Sequence, residues 1–159
     1  MKKYDLHIHS NYSGCAVLKP QLILKLAKKN KLDGIAITDH NSMKGSLEVS
    51  KLNKDKNLEI IKGMEISTNN GDVLALFLQK EITKRDFFGV VDEIKAQDGI
   101  AVIAHPYSYW RYHVKMPLKV LKNKVAFETY NGRAFPFENN LAVKNAKRYN
   151  LAQVGGSDA

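Results

Sequence analysis

Histidine and carboxylate fall in this sequence where metal chemistry would use them. His7 and His9 stand one residue apart in DLHIHS, and His40 closes ITDH. Glu65 lies in GMEIS, His105 in IAHP and Asp158 in GGSDA. A two-residue spacing on an extended segment puts His7 and His9 on one face, where both imidazoles can converge on one ion. Imidazole with carboxylate suits Zn²⁺, Mn²⁺ or Fe²⁺, and a carboxylate such as Glu65 can bridge two ions. Two ions roughly 3.5–4 Å apart would generate hydroxide at neutral pH and clamp an in-line displacement at phosphorus. Each residue alone has a plainer use. A lone histidine beside a strand is more often a hydrogen-bonded rim residue, Asp39 could cap the helix after it, and Asp158 could serve a turn. Six such groups at five strand ends form a joint pattern that the plain uses do not explain.

The elements that must position them follow from the apolar periodicity. Strands are predicted at Tyr4–His9, Gly34–Thr38, Leu58–Ile66, Asp72–Leu78, Ile100–Ala104, Val125–Thr129 and Ala152–Val154. Helices are predicted at Pro20–Lys29, Ser42–Leu52, Thr83–Ala96 with Thr83 as its cap, and Pro136–Tyr149. The turn Asn69-Asn70-Gly71 makes the third and fourth strands a hairpin. The remaining alternation implies parallel strands joined by right-handed crossovers, whose carboxyl ends form the binding face. An open doubly wound sheet and an incomplete (β/α) barrel both fit. A complete eightfold barrel needs about 250 residues, and this chain has 159.

Composition bounds the classes. Hydrophobic residues make up 44% and charged residues 26%, the profile of one folded domain over residues 1–159. No apolar run reaches the roughly 18 residues of a membrane span, and no secretory leader is visible at MKKYDLHIHS. A single cysteine, Cys15, fits a reducing compartment, so the expected setting is cytoplasmic. The net charge of +9 is spread along the chain, which suits lysine-rich helix faces and also a field that attracts phosphates. From Gly99 to Phe127 there is no acidic residue, while Arg111, Lys115, Lys119, Lys122 and Lys124 lie within that stretch.

Taken together, DLHIHS, GIAITDHNS, GMEIST, IAHP and GGSDA resemble, in order and spacing, the polymerase and histidinol phosphatase (PHP) domain family of metal-dependent phosphoesterases. The resemblance implies a distorted (β/α)7 TIM-like barrel with two or three metals at the carboxyl ends of its strands. It implies that His7, His9, Glu65 and Asp158 hold one ion, that Glu65 bridges to a second bound by His105, and that His40 serves a third. Asp39 would then sit behind the ligands and orient an imidazole. The departures are specific. Gly14 stands where the family often has a third-metal Asp, with Cys15 beside it. A thiolate there could bind zinc, but the commoner reading of a lone cysteine is a small buried hydrophobe. A second-metal histidine is missing from VLALFL, near Leu74. The last motif stops at Ala159, one residue short of a usual histidine, which reads as a chain cut before its last strand and helix. One or two ions are expected here, against three in a complete member.

On the substrate side, guanidinium matches phosphate oxygens, and Arg111 and Arg133 both follow predicted strand ends. Arg133 is the stronger candidate, because family members often carry a similar Asn-Gly-Arg segment. Tyr107, Tyr109, Trp110 and Tyr112 could stack on nucleobases or pack their loop onto the barrel. His113 lies away from every strand end and is given no role. The expected function is hydrolysis of a phosphate ester: a small phosphomonoester, a nucleotide or a nucleic-acid 5′ end. Single-stranded nucleic acid is the expected macromolecular partner, and a membrane is not. The competing reading is a catalytically weakened nucleic-acid-binding or assembly module, which the losses at Gly14 and Leu74 favour. A third reading is a structural domain without metal.

Overall fold

The computed structural model describes residues 2–110, 117–122 and 124–159. Among them, seven strands lie side by side in sequence order: β1 (Tyr4–Ile8), β2 (Gly34–Ile37), β3 (Glu59–Thr68), β4 (Gly71–Leu76), β5 (Ile100–Ile103), β6 (Ala126–Asn131) and β7 (Ala152–Gly156). Four helices connect them: α1 (Pro20–Lys29), α2 (Lys44–Leu52), α3 (Phe87–Lys95) and α4 (Pro136–Tyr149). The sheet curls until β7 meets β1. Asp158 N–H donates to the His7 carbonyl (2.7 Å) and His9 N–H to the Ala159 carbonyl (2.9 Å). The result is the distorted, nearly closed seven-stranded (β/α) barrel expected from the motifs.

Alternation along the strands sorts side chains into an interior and an outer shell. Ala36, Ile61, Leu74, Leu76, Val102 and Ala126 pack together inside. Their neighbours in sequence face outward: Ile35 and Ile37 meet Ile23 and Ala27 of α1, while Val73, Ala75, Ala101 and Ile103 meet Val90, Val91 and Ile94 of α3. Proline at the first turn starts α1 and α4. For α3 the cap is Asp86, whose carboxylate accepts the Gly89 N–H at 2.7 Å, and not Thr83. The predicted helix therefore began one turn too early, because Thr83 carries the right atom at the wrong distance from the apolar stripe.

One strand breaks the parallel rule. β4 pairs antiparallel with both β3 and β5, while every other pair is parallel. Gly71, at φ 105°, makes the tight reversal that Asn69-Asn70-Gly71 announced. The reversal puts the amino end of β4 beside the carboxyl ends of its neighbours. No helix among the described residues is long and apolar enough to cross a membrane.

Candidate metal centre

The interior is apolar through most of its depth and turns polar at the carboxyl end. β1 delivers the first two histidines. Its ladder with β2 shifts between Asp5 and Ile8, so Ile8 packs under α1 while His7 and His9 both face inward and are almost wholly buried. On β3, Ile61 faces the interior and Glu65, four residues on, lies on the same side. His105 cannot get there by alternation, since Ala104 before it already faces inside. Its backbone enters the left-handed region at φ 27° and turns the ring inward, and Asp158 does the same at φ 57°. Gly156 leaves room for this packing, because a Cβ there would collide with His7.

Four donor atoms meet at one point. His7 Nε2 and His9 Nε2 are 3.1 Å apart, and Glu65 Oε2 lies 3.4 and 3.3 Å from them. Asp158 Oδ1 lies 3.8 and 3.5 Å from the same two nitrogens. Donors about 2.1 Å from a common centre stand about 3.4 Å apart at the corners of a tetrahedron. The five distances seen here, from 3.1 to 3.8 Å, are of the length found between ligands of a zinc-sized ion.

The other carboxylate oxygen of Glu65 turns to a second group. His105 Nε2 is 3.0 Å from Glu65 Oε1, and Asp72 completes a buried triad whose donor atoms lie within 4.8 Å of one another. Asp72 Oδ1 is buried without a partner beside this group, as are the Nδ1 atoms of His9 and His105, whose Nε2 atoms are the ones that face the cluster. Such orphans are costly unless something outside the protein satisfies them. Toward solvent, His40 Nδ1 is 3.3 Å from Glu65 Oε2, and His40, His9 and Cys15 form another group of the same spacing. These residues, with Arg133, line a cavity of about 270 Å³.

Electrostatics hold the cluster together. Burial pushes His7 toward the neutral form, but Glu128 and Glu65 outweigh it and raise its pKa to about 10. Burial raises Glu65, and the imidazoles reverse this, holding it well below the usual carboxylate range. His40 is lowered, first by burial, so it is neutral and able to ligate near neutral pH. Burial and then the charge of Glu65 raise Asp72.

The six predicted donors, His7, His9, His40, Glu65, His105 and Asp158, are thus brought into one cluster. Arg133 reaches its edge, with Nη1 4.0 Å from Asp158 Oδ1 and most of the side chain exposed. Asp39 is buried, and its carboxylate takes the Ser10 N–H and hydroxyl, both at 2.6 Å, where the sequence pointed to an imidazole. It fixes the segment that follows His9 and does not grip a histidine ring. Arg111, Tyr112 and His113 lie outside the described residues. Cys15, expected as a small buried hydrophobe, is exposed. Leu74 is core, as its apolar character implied, and the acidic group beside the second position is Asp72, two residues earlier.

Besides Asp72, Glu128 and Asn131 escaped the motif reading. Glu128 Oε1 is 3.0 Å from His7 Nδ1, and its Oε2 accepts the His105 N–H (2.7 Å) and Asn131 Nδ2 (3.0 Å). Asn131 Nδ2 also donates to Asp158 Oδ2 at 2.9 Å. The pair ties three donors to β6 and directs His7 Nε2 toward the meeting point. The signal was present: Ala126 faces inward, so alternation puts Glu128 inside too, and a buried carboxylate requires partners.

With this geometry in view, the PHP domain family matches residues 5–152. The chain belongs to the PHP domain family. Two uncharacterized proteins of Methanocaldococcus jannaschii are similar, at 41% identity over 117 residues and 34% over 166. These matches cover 67% and 99% of this chain, which spans 68% and 65% of the relatives' lengths. A 5′-3′ exoribonuclease of Haemophilus influenzae is 40% identical over 68 residues, 43% of this chain and 24% of that one. Among solved structures, a Bifidobacterium adolescentis protein provisionally described as a metal-dependent phosphoesterase superposes with TM-score 0.80 at 14% identity, over 99% of this chain and 87% of that one. An amidohydrolase from Chromobacterium violaceum, with bound sulfate and no metal, gives 0.75 at 15% over 98% and 87%. At those identities the likeness concerns the fold, and the barrel is shared across its whole length.

Proposed function

We propose that this PHP domain is a divalent-metal-dependent phosphoesterase acting on a terminal phosphate of single-stranded nucleic acid or a nucleotide. The gathering of Glu65 Oε2 and Asp158 Oδ1 within 3.3–3.8 Å of His7 Nε2 and His9 Nε2 carries the reading. These four residues would hold one ion, and Glu65, His105 and Asp72 a second. Bound there, Zn²⁺, Mn²⁺ or Fe²⁺ would supply a nucleophilic hydroxide at neutral pH and neutralise charge on a phosphoryl oxygen.

The chain's own groups do the rest. Glu128 holds the His7 ring so that one nitrogen faces the cluster. Arg133, hinged where Asn131 Oδ1 accepts its N–H at 2.9 Å, presents a guanidinium at the cavity mouth to phosphate oxygens. Arg111 is retained as a second phosphate contact on sequence grounds alone. Asp39 positions the segment after His9 through Ser10 and is assigned no proton transfer.

A nucleic-acid or nucleotide substrate is favoured by the rim. Tyr109 and Trp110 are 77% and 79% exposed, edge to face at 5.0 Å. Phe135 and Phe137 stack nearly parallel at 5.7 Å on the segment that follows Arg133. Glu138 joins the two groups by accepting the Tyr109 and Phe135 N–H groups. Tyr107 behaves differently and packs against Phe127. Exposed rings on the segments that follow His105 and Arg133 would serve as stacking platforms for bases. The name of the exoribonuclease relative and the phosphoesterase description of the structural relative agree with this choice.

The test is phosphate release by metal-depleted protein with Zn²⁺, Mn²⁺ or Fe²⁺ added back. A chromogenic phosphomonoester and a 5′-phosphorylated single-stranded oligonucleotide are compared. Metal-dependent turnover with the oligonucleotide preferred is the expected result. Bound metal without turnover of either substrate overturns the reading, and turnover of the chromogenic ester alone overturns the nucleic-acid part.

A further inference from the structure

The first turn of α4 stands between the two parts of the rim assigned above to substrate, and Glu138 does more there than start a helix. Glu138 Oε2 accepts the Phe135 N–H at 2.9 Å, and its own N–H donates to the Phe135 carbonyl at 3.0 Å. That reciprocal pair caps the helix and needs only one carboxylate oxygen. The other oxygen, Oε1, accepts the Tyr109 N–H at 2.8 Å, from 29 residues earlier in the chain. Glu138 is almost wholly buried, a costly place for a carboxylate whose only task is a helix cap. Its neighbour Asn139 holds the other side. Asn139 Oδ1 accepts the Asn131 N–H and its Nδ2 donates to the Asn131 carbonyl, both at 3.0 Å. Asn131 Oδ1 in turn accepts the N–H groups of Arg133 and Ala134, at 2.9 and 3.1 Å. One helical turn therefore fixes the backbone at Arg133 and, through a single carboxylate oxygen, the backbone of the Tyr109–Trp110 pair.

We propose that Glu138 is a positioning residue that sets the Tyr109 and Trp110 rings relative to Arg133, so that a base and its phosphate are engaged together. The proposal rests on the nucleic-acid reading above and names the residue on which that selectivity depends. A carboxylate suits the task because both of its oxygens accept. A carboxamide in its place keeps one acceptor and turns an NH₂ group toward the other backbone N–H. A phosphate without a base does not use the rings and is indifferent to Glu138.

Metal-loaded wild type, Glu138→Gln, Trp110→Ala and the double variant are compared on a 5′-phosphorylated single-stranded oligonucleotide. Inhibition of that reaction by inorganic phosphate, which has no base, is measured alongside. Glu138→Gln should raise KM about fivefold and Trp110→Ala about tenfold, the order of one stacked base, with kcat, bound metal and the phosphate inhibition constant unchanged. The double variant should match Trp110→Ala, because the carboxylate acts through the rings. Trp110 is the one tryptophan of the chain, so its fluorescence anisotropy reads the ring pair directly and should fall in Glu138→Gln without substrate. Glu138→Asp, which keeps the charge and shortens the reach, repeats these measurements should the glutamine variant not fold. An unchanged KM, a double variant in which the two losses multiply, or a phosphate inhibition constant that rises in step with KM overturns the role of Glu138 and leaves the metal-centre reading standing. A wild type with no oligonucleotide turnover overturns both.

Discussion

His7, His9, Glu65 and Asp158 are almost wholly buried, whereas His40 keeps 40% of its side chain exposed and Cys15 lies on an exposed loop. The inner donors project from strands or from residues hydrogen-bonded directly to strands. Glu128 and Asn131 hold them from behind. The outer donors hang from the loops after β1 and β2, joined through the single hydroxyl of Ser13. An inner site built this way is in place before an ion arrives, so binding need not order its ligands. Outer donors of this kind must be brought together before they can ligate.

The comparison breaks if the two regions respond alike to loss of a ligand. Asp158→Ala, with His9→Ala as its companion, should lower metal-stimulated kcat/KM by more than about a hundredfold, exceeding the usual loss from a supporting residue. His40→Ala should cost about tenfold. Equal losses would mean that inner and outer positions form one unit. Glu128→Gln comes next. It keeps the shape and removes the charge behind His7, and metal affinity measured by competition with a chelator should fall about 10- to 100-fold. An unchanged affinity would show that His7 needs no support from β6.

Arg133→Ala should raise KM about tenfold, the worth of a charged hydrogen bond of about 1.5 kcal/mol, while bound metal stays the same. Loss of metal in that variant would move Arg133 from substrate to scaffold. The smallest effect sharpens the preorganisation claim through pH. His7 titrates at about 10 in the folded, metal-free chain and near 6.5 when unfolded. Its stabilisation is therefore complete below pH 6.5 and is lost as pH rises toward 10. Glu65, held low by the imidazoles, contributes above the ordinary carboxylate range and loses its contribution on acidification. Melting of the metal-free protein should therefore move to lower temperature between pH 6.5 and 10. Bound metal, which needs His7 neutral, should flatten that slope. Equal slopes with and without metal would place His7 outside the centre.

Particular elements show what could be read early. Pro20 and Pro136 marked helix starts to the residue, because proline at a first turn has few other uses. The His-x-His pair and the strand-end positions of Glu65, His105 and Asp158 pointed to the inner cluster, and that of His40 to its rim. Asp72 carries no such signal in the sequence, because it lies at the amino end of its strand and not at the carboxyl end. On an antiparallel strand the same face is met at the amino end, and only pairing with Ser67 puts Asp72 there. Glu128 escaped because a single acid in AFETYN has no motif around it. Its meaning comes from His7, 121 residues away.

The sequence by itself determined the kind of chemistry and the class of barrel, because residue type fixes which donors exist and local periodicity fixes which segments extend or coil. Tertiary structure alone decided how the donors divide into an inner vertex and an outer rim, which carboxylate stands behind which imidazole, and that Asp39 answers to Ser10. Those relations join residues tens to more than a hundred positions apart. Closure of β7 onto β1, which brings Asp158 to His7, sets them, and no local pattern along the chain encodes that distance.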